Sequence, residues 1–174
     1  MMKRKTMLAV LVIFSCFSLA AQEAPRAVLS DTWVNTLTSN WEAINNGMNA
    51  IPQSDINNRL EAALMEFVER MTECLYPDSV PDFAAYRASF QTLRKTRLPP
   101  EGEEVFIKYG LGPDCSEAFW VCMIGIMLLY MERDPDLQSV EAQRGPQMRQ
   151  IIHPNDFAVL EKNFDQLIEY FGSM

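Results

Sequence analysis

The sequence predicts an all-α domain, an irregular bundle of about five main helices around a central apolar helix at about residues 115–132. Three observations carry this. Apolar residues recur at spacings of three and four in several segments. No segment alternates apolar and polar residues for long enough to argue a strand. One stretch, Ala118 to Met131, runs without a single charge.

Trp33, Leu37, Trp41, Ile44 and Met48 line one face of a first helix over about 31–48, with Ser30 or Asp31 as N-cap. Ile51-Pro52-Gln53-Ser54-Asp55 interrupts it. Ile56, Leu60, Leu64, Phe67, Met71 and Cys74 then mark a second, strongly amphipathic helix. The run Tyr76 to Asp82 has turn composition, and Asp82 is placed to cap a third helix carrying Phe83, Tyr86, Phe90 and Leu93. Pro99-Pro100 ends that helix, because proline lacks the amide a helix interior needs. A short helical piece with Val105, Phe106 and Tyr109 is expected to stop at Gly110 and Gly112.

Asp114 and Glu117 have the spacing of a reciprocal capping box at the head of the central helix. That helix is apolar all round yet too short, on its uncharged run, to span a bilayer, so it reads as buried by its neighbours. Asp134-Pro135-Asp136 ends it, and a polar connection to Gln150 holds at most a weak helical turn. A last helix starts near Pro154-Asn155-Asp156, carries Phe157, Leu160, Phe164, Leu167 and Phe171, and ends at Gly172.

The domain organisation follows: a signal peptide over 1–21, a short linker over 22–30 and a single helical domain over 31–174. Lys3, Arg4 and Lys5 form the basic n-region, Met7 to Phe14 the apolar h-region, and Ser18, Ala20 and Ala21 the cleavage zone. Its style points to a bacterial exported protein, periplasmic or secreted. Ser15, Ser18 and Gln22 interrupt the apolar run before it reaches the length of a membrane span. Cys16 offers a minor alternative, lipidation, although Phe14 is bulky for a lipobox.

The full chain carries 15 Lys and Arg against 23 Asp and Glu, a net charge of −8. Cleavage removes three cations and no acid, leaving 12 against 23, or −11. Such acidity repels phosphate backbones, which excludes nucleic acid as an expected partner. The one basic stretch, Arg87, Arg94, Lys95 and Arg97, reads as cations complementing a helix C-terminus. A docking patch is its alternative.

Candidate chemistry is sparse. The mature chain holds Cys74, Cys115 and Cys122. Cys115 and Cys122 on one helix lie about 10 Å apart along its axis, beyond the reach of a bridge, so a disulfide is expected between Cys74 and either Cys115 or Cys122. Cys115 at a helix start is also a conceivable reactive thiol. His153 is the lone histidine and reads as a loop residue before the last helix. One histidine without a Cys-x-x-Cys pair leaves too few ligands for a zinc site, so neither metal nor cofactor is expected. The Met123, Met127 and Met131 stripe and Trp33, Trp41 and Trp120 read as core, and Glu101, Glu103 and Glu104 as a solvated turn.

No phosphate-binding loop or nucleophile elbow is present. The expected function is therefore a non-catalytic module that binds another protein or a small apolar ligand between its helices, with no membrane span in the mature chain. The alternative is a small exported hydrolase using carboxylates, with Glu117, Asp114 and His153 as candidate catalytic residues.

Overall fold

The computed structural model describes residues 25–51, 58–76, 80–135 and 144–171. The expected signal peptide and Cys16 lie outside these residues, and so do the cleavage and lipidation readings. The protein is an all-α bundle, and among the described residues there is no strand.

The helices are α1 (Asp31–Ser39), α2 (Trp41–Asn49), α3 (Asn58–Leu75), α4 (Phe83–Lys95), α5 (Pro100–Lys108), α6 (Cys115–Arg133), α7 (Pro154–Lys162) and α8 (Phe164–Phe171). A helical stretch over 144–148 runs into a 3-10 turn, Arg149–Ile151, which is the weak turn expected in the polar connection.

Two expected single helices are each broken in two, at an asparagine both times. Asn40 Nδ2 donates to the Thr36 carbonyl at 2.8 Å, and Asn163 Nδ2 donates to the Val159 carbonyl at 2.7 Å. A short carboxamide that reaches the carbonyl four residues back competes with the backbone ladder and ends the helix there. The apolar spacing continued across both breaks, which hid them in the sequence.

The other boundaries follow their local chemistry. Ser30 Oγ accepts from the Trp33 amide, and Asp82 Oδ1 accepts from the Ala84 and Ala85 amides, so both expected caps form. After α5, the Gly110 amide bonds the Ile107 carbonyl at 2.9 Å and the Leu111 amide bonds the Phe106 carbonyl at 3.2 Å. This paired closure requires a left-handed residue, and Gly110 supplies it with φ 84°.

α6 is the centre of the bundle. Twelve of its 19 residues are buried, on all sides of the helix. It packs against α4, α5, α7 and α8, while α3 lies along α4 and α2 along α5. By length and apolarity alone α6 passes as a membrane-crossing helix, but two thirds of it is buried inside the fold, and that burial accounts for its composition. Gly125 brings α6 close to α7: a Cβ built there would stand 2.2 Å from Leu160 Cδ1. On the other side, Phe67 of α3 meets Tyr86 and Phe90 of α4 with ring centroids 5.5 and 5.6 Å apart. Such ring pairs add about 0.5–1.5 kcal/mol to what area burial provides.

The tryptophans are built into this core and its edge. Trp33 Nε1 donates to the Leu111 carbonyl, Trp120 Nε1 donates to the Thr96 carbonyl, and Trp41 stands edge-on to Phe171 with centroids 4.3 Å apart. Met131 is buried, and Met123 and Met127 are packed against the core.

The expected disulfide is not formed: Cys74, Cys115 and Cys122 are free, buried thiols. The lay of α4 explains why Cys74 does not meet Cys115. Cys74, at the end of α3, feels Asp82 and Tyr86 at the start of α4, whereas Cys115 feels Arg97, just past the end of α4. Ten or more residues of helix and its extension separate those two places, roughly 15 Å at 1.5 Å per residue. Cys122 is fully enclosed in the middle of α6, and burial alone pushes its thiol up among the described residues. The expected bridge between Cys74 and Cys115 required α3 to end beside the head of α6.

Candidate functional site: a charged cleft at the head of the central helix

The head of α6, the C-terminal half of α4 and the N-terminal segment 25–30 converge. Arg94 and Lys95 occupy the last turn of α4, where cations complement the helix dipole. The chain then turns extended at Thr96, with φ −80° and ψ 117°. It reaches Pro99-Pro100 in the conformation that residues before proline favour. Pro100 opens α5, and so Glu103 falls in the first turn of α5 facing the head of α6.

Glu103 is buried, which corrects its reading as part of a solvated turn. Arg97 Nε donates to Glu103 Oε1 at 2.7 Å and Arg97 Nη2 to Oε2 at 2.5 Å, a bidentate pair. Ser116 Oγ donates to Glu103 Oε1 at 2.6 Å and accepts from the Leu98 amide at 3.0 Å. The hydrogen bonds from Arg97 hold the Glu103 carboxyl below its ordinary range, against the opposing effect of burial. A carboxylate so stabilised is a weak base. The Glu103 and Ser116 pair therefore acts as a clamp between α5 and α6, with its hydroxyl already engaged on both sides.

Glu117 lies one residue further along. The expected capping box is absent: Asp114 is the N-cap by position, but its side chain makes no capping bond. Glu117 instead accepts from Arg94 Nε at 2.7 Å and from Arg26, so one carboxylate serves two guanidiniums. Two guanidiniums, each a full positive charge, draw Glu117 away from the single backbone amide that a capping box would offer it. Burial pushes the Glu117 carboxyl up, and the two arginines outweigh it and hold it below the ordinary range. Asp114 is exposed, with Oδ2 3.9 Å from Arg26 Nη2.

Segment 25–30 is fixed as a strap. Arg94 Nη2 donates to the Arg26 carbonyl at 3.0 Å. Asp156, in the first turn of α7, is fully buried and accepts from the Val28 amide at 2.9 Å and the Leu29 amide at 2.7 Å. Burial raises the Asp156 carboxyl despite those amides.

Between these parts lies a cleft of about 880 Å³. Its walls carry Arg26, Arg87, Arg94, Lys95 and Arg97 against Glu103, Asp114 and Glu117. Five cations against three carboxylates leave two positive charges in excess, on a chain whose net charge is −8. All four members of the basic stretch thus face one cavity. Arg87 differs from its neighbours: Nε donates to the Phe83 carbonyl at 3.1 Å and Nη1 to Gln150 Oε1 at 3.4 Å, both uncharged acceptors.

Glu117 and Asp114 meet at this cleft through Arg26. His153 does not line it. Its Nδ1 accepts from the Asn155 amide at 3.1 Å, making it the N-cap of α7, and its charge neighbour is Asp156. The Cys115 thiol is pushed up by burial and by Glu103, which outweigh the lowering by the amides at the helix start and by Arg97. That environment does not favour a reactive thiol. Among the described residues, no group of three or more His, Cys, Asp or Glu is placed to hold a metal ion.

Arg26, Asp156, Glu103 and Ser116 were not singled out as site residues from the sequence. Each is ordinary in its local context, an acid in a first helical turn or an arginine in a linker, and only the packing brings them together. Compared with known proteins, the chain matches no family model, no curated protein and no solved structure.

Proposed function

We propose that this protein is an exported, non-catalytic helical module that works by holding a ligand in the cleft beside the head of α6. One observation carries the reading: the cleft concentrates five of the chain's 15 cations in a cavity of about 880 Å³. That volume lies within the roughly 300–1,000 Å³ typical of small-molecule sites. The walls carry charged side chains beside Phe90 and Ile151, which suits a ligand with both polar and apolar parts.

The hydrolase alternative has less support. A carboxylate pair working as acid and base needs one carboxyl raised into the working pH range. Glu103 and Glu117 are both held below their ordinary values and engaged by arginine, and Asp114 stands exposed. Export rests on the n-region, h-region and cleavage zone of residues 1–21.

Native mass spectrometry of the protein recovered from the producing cell tests both parts. A chain beginning at Ala21 or Gln22, carrying a small molecule that is lost on denaturation, is the expected result. An uncleaved chain retained in the cytoplasm would overturn export, and a bare mature chain that binds no small molecule on screening would overturn the ligand reading.

A further inference from the structure

The chemistry of the cleft says more about the ligand, on the reading that the cleft is a binding site. Arg26 and Arg94 share the single carboxylate of Glu117, and Arg97 is satisfied by Glu103. Among the described residues, Arg87 has only the Phe83 carbonyl and the Gln150 side-chain carbonyl as hydrogen-bond acceptors. A guanidinium bonded only to neutral groups in a cavity with positive excess is completed by an oxyanion, which its planar fork takes in a bidentate manner. From these contacts we propose that the cleft binds a small organic dianion, a phosphate monoester or a dicarboxylate, with Arg87 as its docking cation.

Cations outnumber carboxylates in the lining, which favours an anionic ligand. The rest of the acidic surface repels anions, so the cleft is the favourable place for one to settle. A small ligand suits this better than a macromolecular polyanion, whose length would run over the negative surface beyond the cavity. The Arg87 to Gln150 bond, at 3.4 Å, is long for its type and is exchanged on binding without exposing a buried charge.

Calorimetric titration of the mature full chain tests this with three probes: phenyl phosphate, glutarate and the neutral benzyl alcohol. At least one anion is expected to bind, to weaken by tenfold or more in Arg87→Gln, to recover in part in Arg87→Lys, and to weaken as salt is raised. Lys108→Gln removes an exposed cation that does not line the cleft and is expected to leave binding within twofold. Circular dichroism of each variant confirms that the fold is kept. Failure of both anions to bind, or undiminished binding in Arg87→Gln, overturns the proposal. Binding of benzyl alcohol as tightly as the anions, at the same cleft, overturns the dianion assignment while leaving the ligand-binding reading intact. A molecule other than a dianion recovered in the cleft by native mass spectrometry does the same.

Discussion

Asp156 and Leu29 stand 127 residues apart in the chain, and the Asp156 carboxylate accepts the Leu29 amide at 2.7 Å in the interior. That bond, with its neighbour to Val28, pins the strap that carries Arg26 into the cleft. Asp156→Ala would leave a buried amide without an acceptor, which costs about 1–3 kcal/mol. Urea unfolding is expected to show a loss of that size, and trypsin is expected to cut after Arg26 faster than in the parent chain. An unchanged cleavage rate would mean that the strap is held by other contacts.

Gly125 marks the closest approach of α6 to α7. Alanine gains about 1 kcal/mol of helix propensity over glycine. Its Cβ would nevertheless stand 2.2 Å from Cδ1 of Leu160, itself fully buried, and 3.2 Å from Cδ1 of Ile152. Overpacking of this kind costs roughly 1–3 kcal/mol, so it outweighs the propensity gain. Gly125→Ala should lower the thermal midpoint, and a rise would show that Leu160 moves aside at little cost.

The three thiols give a third expectation. Burial pushes the thiols of Cys74, Cys115 and Cys122 up and so suppresses their ionisation, and all three are free. In the folded mature chain they should react slowly with an alkylating reagent, because only the thiolate is nucleophilic. Unfolding without reductant should then expose three reactive groups. One reactive group would instead indicate the Cys74 bridge that cysteine arithmetic suggested.

Acid should weaken the fold. The carboxyls of Glu103 and Glu117 lie lower in the folded chain than in the unfolded one. Each therefore contributes stability that is present above the unfolded value of about 4.3 and is lost as pH falls through the folded value. Asp156, raised on folding, acts in the opposite sense and offsets part of the loss. Thermal midpoints are expected to be flat from pH 7 to about 5 and to fall below about 4. Glu103→Gln should start lower at pH 7 and decline less steeply, and a decline as steep as the parent's would remove Glu103 from this account.

These contacts also show which parts of the protein could be read from its residues. The all-α class, the central helix and the Ser30 and Asp82 caps are consequences of local pattern, and apolar spacing announces them. The breaks at Asn40 and Asn163 were not legible, because an asparagine at helical spacing does not reveal that its carboxamide will turn back on the carbonyl four residues earlier. Asp114 and Glu117 were singled out for the wrong local reason. Their spacing fits a capping box, while the structure gives Glu117 to Arg26 and Arg94, from segments 91 and 23 residues away. Arg87, Arg94, Lys95 and Arg97 were visible as a basic stretch, but a helix C-terminus explained them locally and the cleft does not exist until α4, α6 and the strap meet.

Ligand binding at this cleft remains the proposal from which the other expectations about Arg87 follow. Nuclear magnetic resonance of the labelled mature chain, with amide and arginine Nε–H signals followed as phenyl phosphate or glutarate is added, tests it most directly. Shifts are expected to concentrate at Arg87, Arg94 and Arg97, at Arg26 and around residues 113–117, with Arg87 Nε moving furthest. Shifts confined to another face of the bundle, or none at saturating probe, would contradict it.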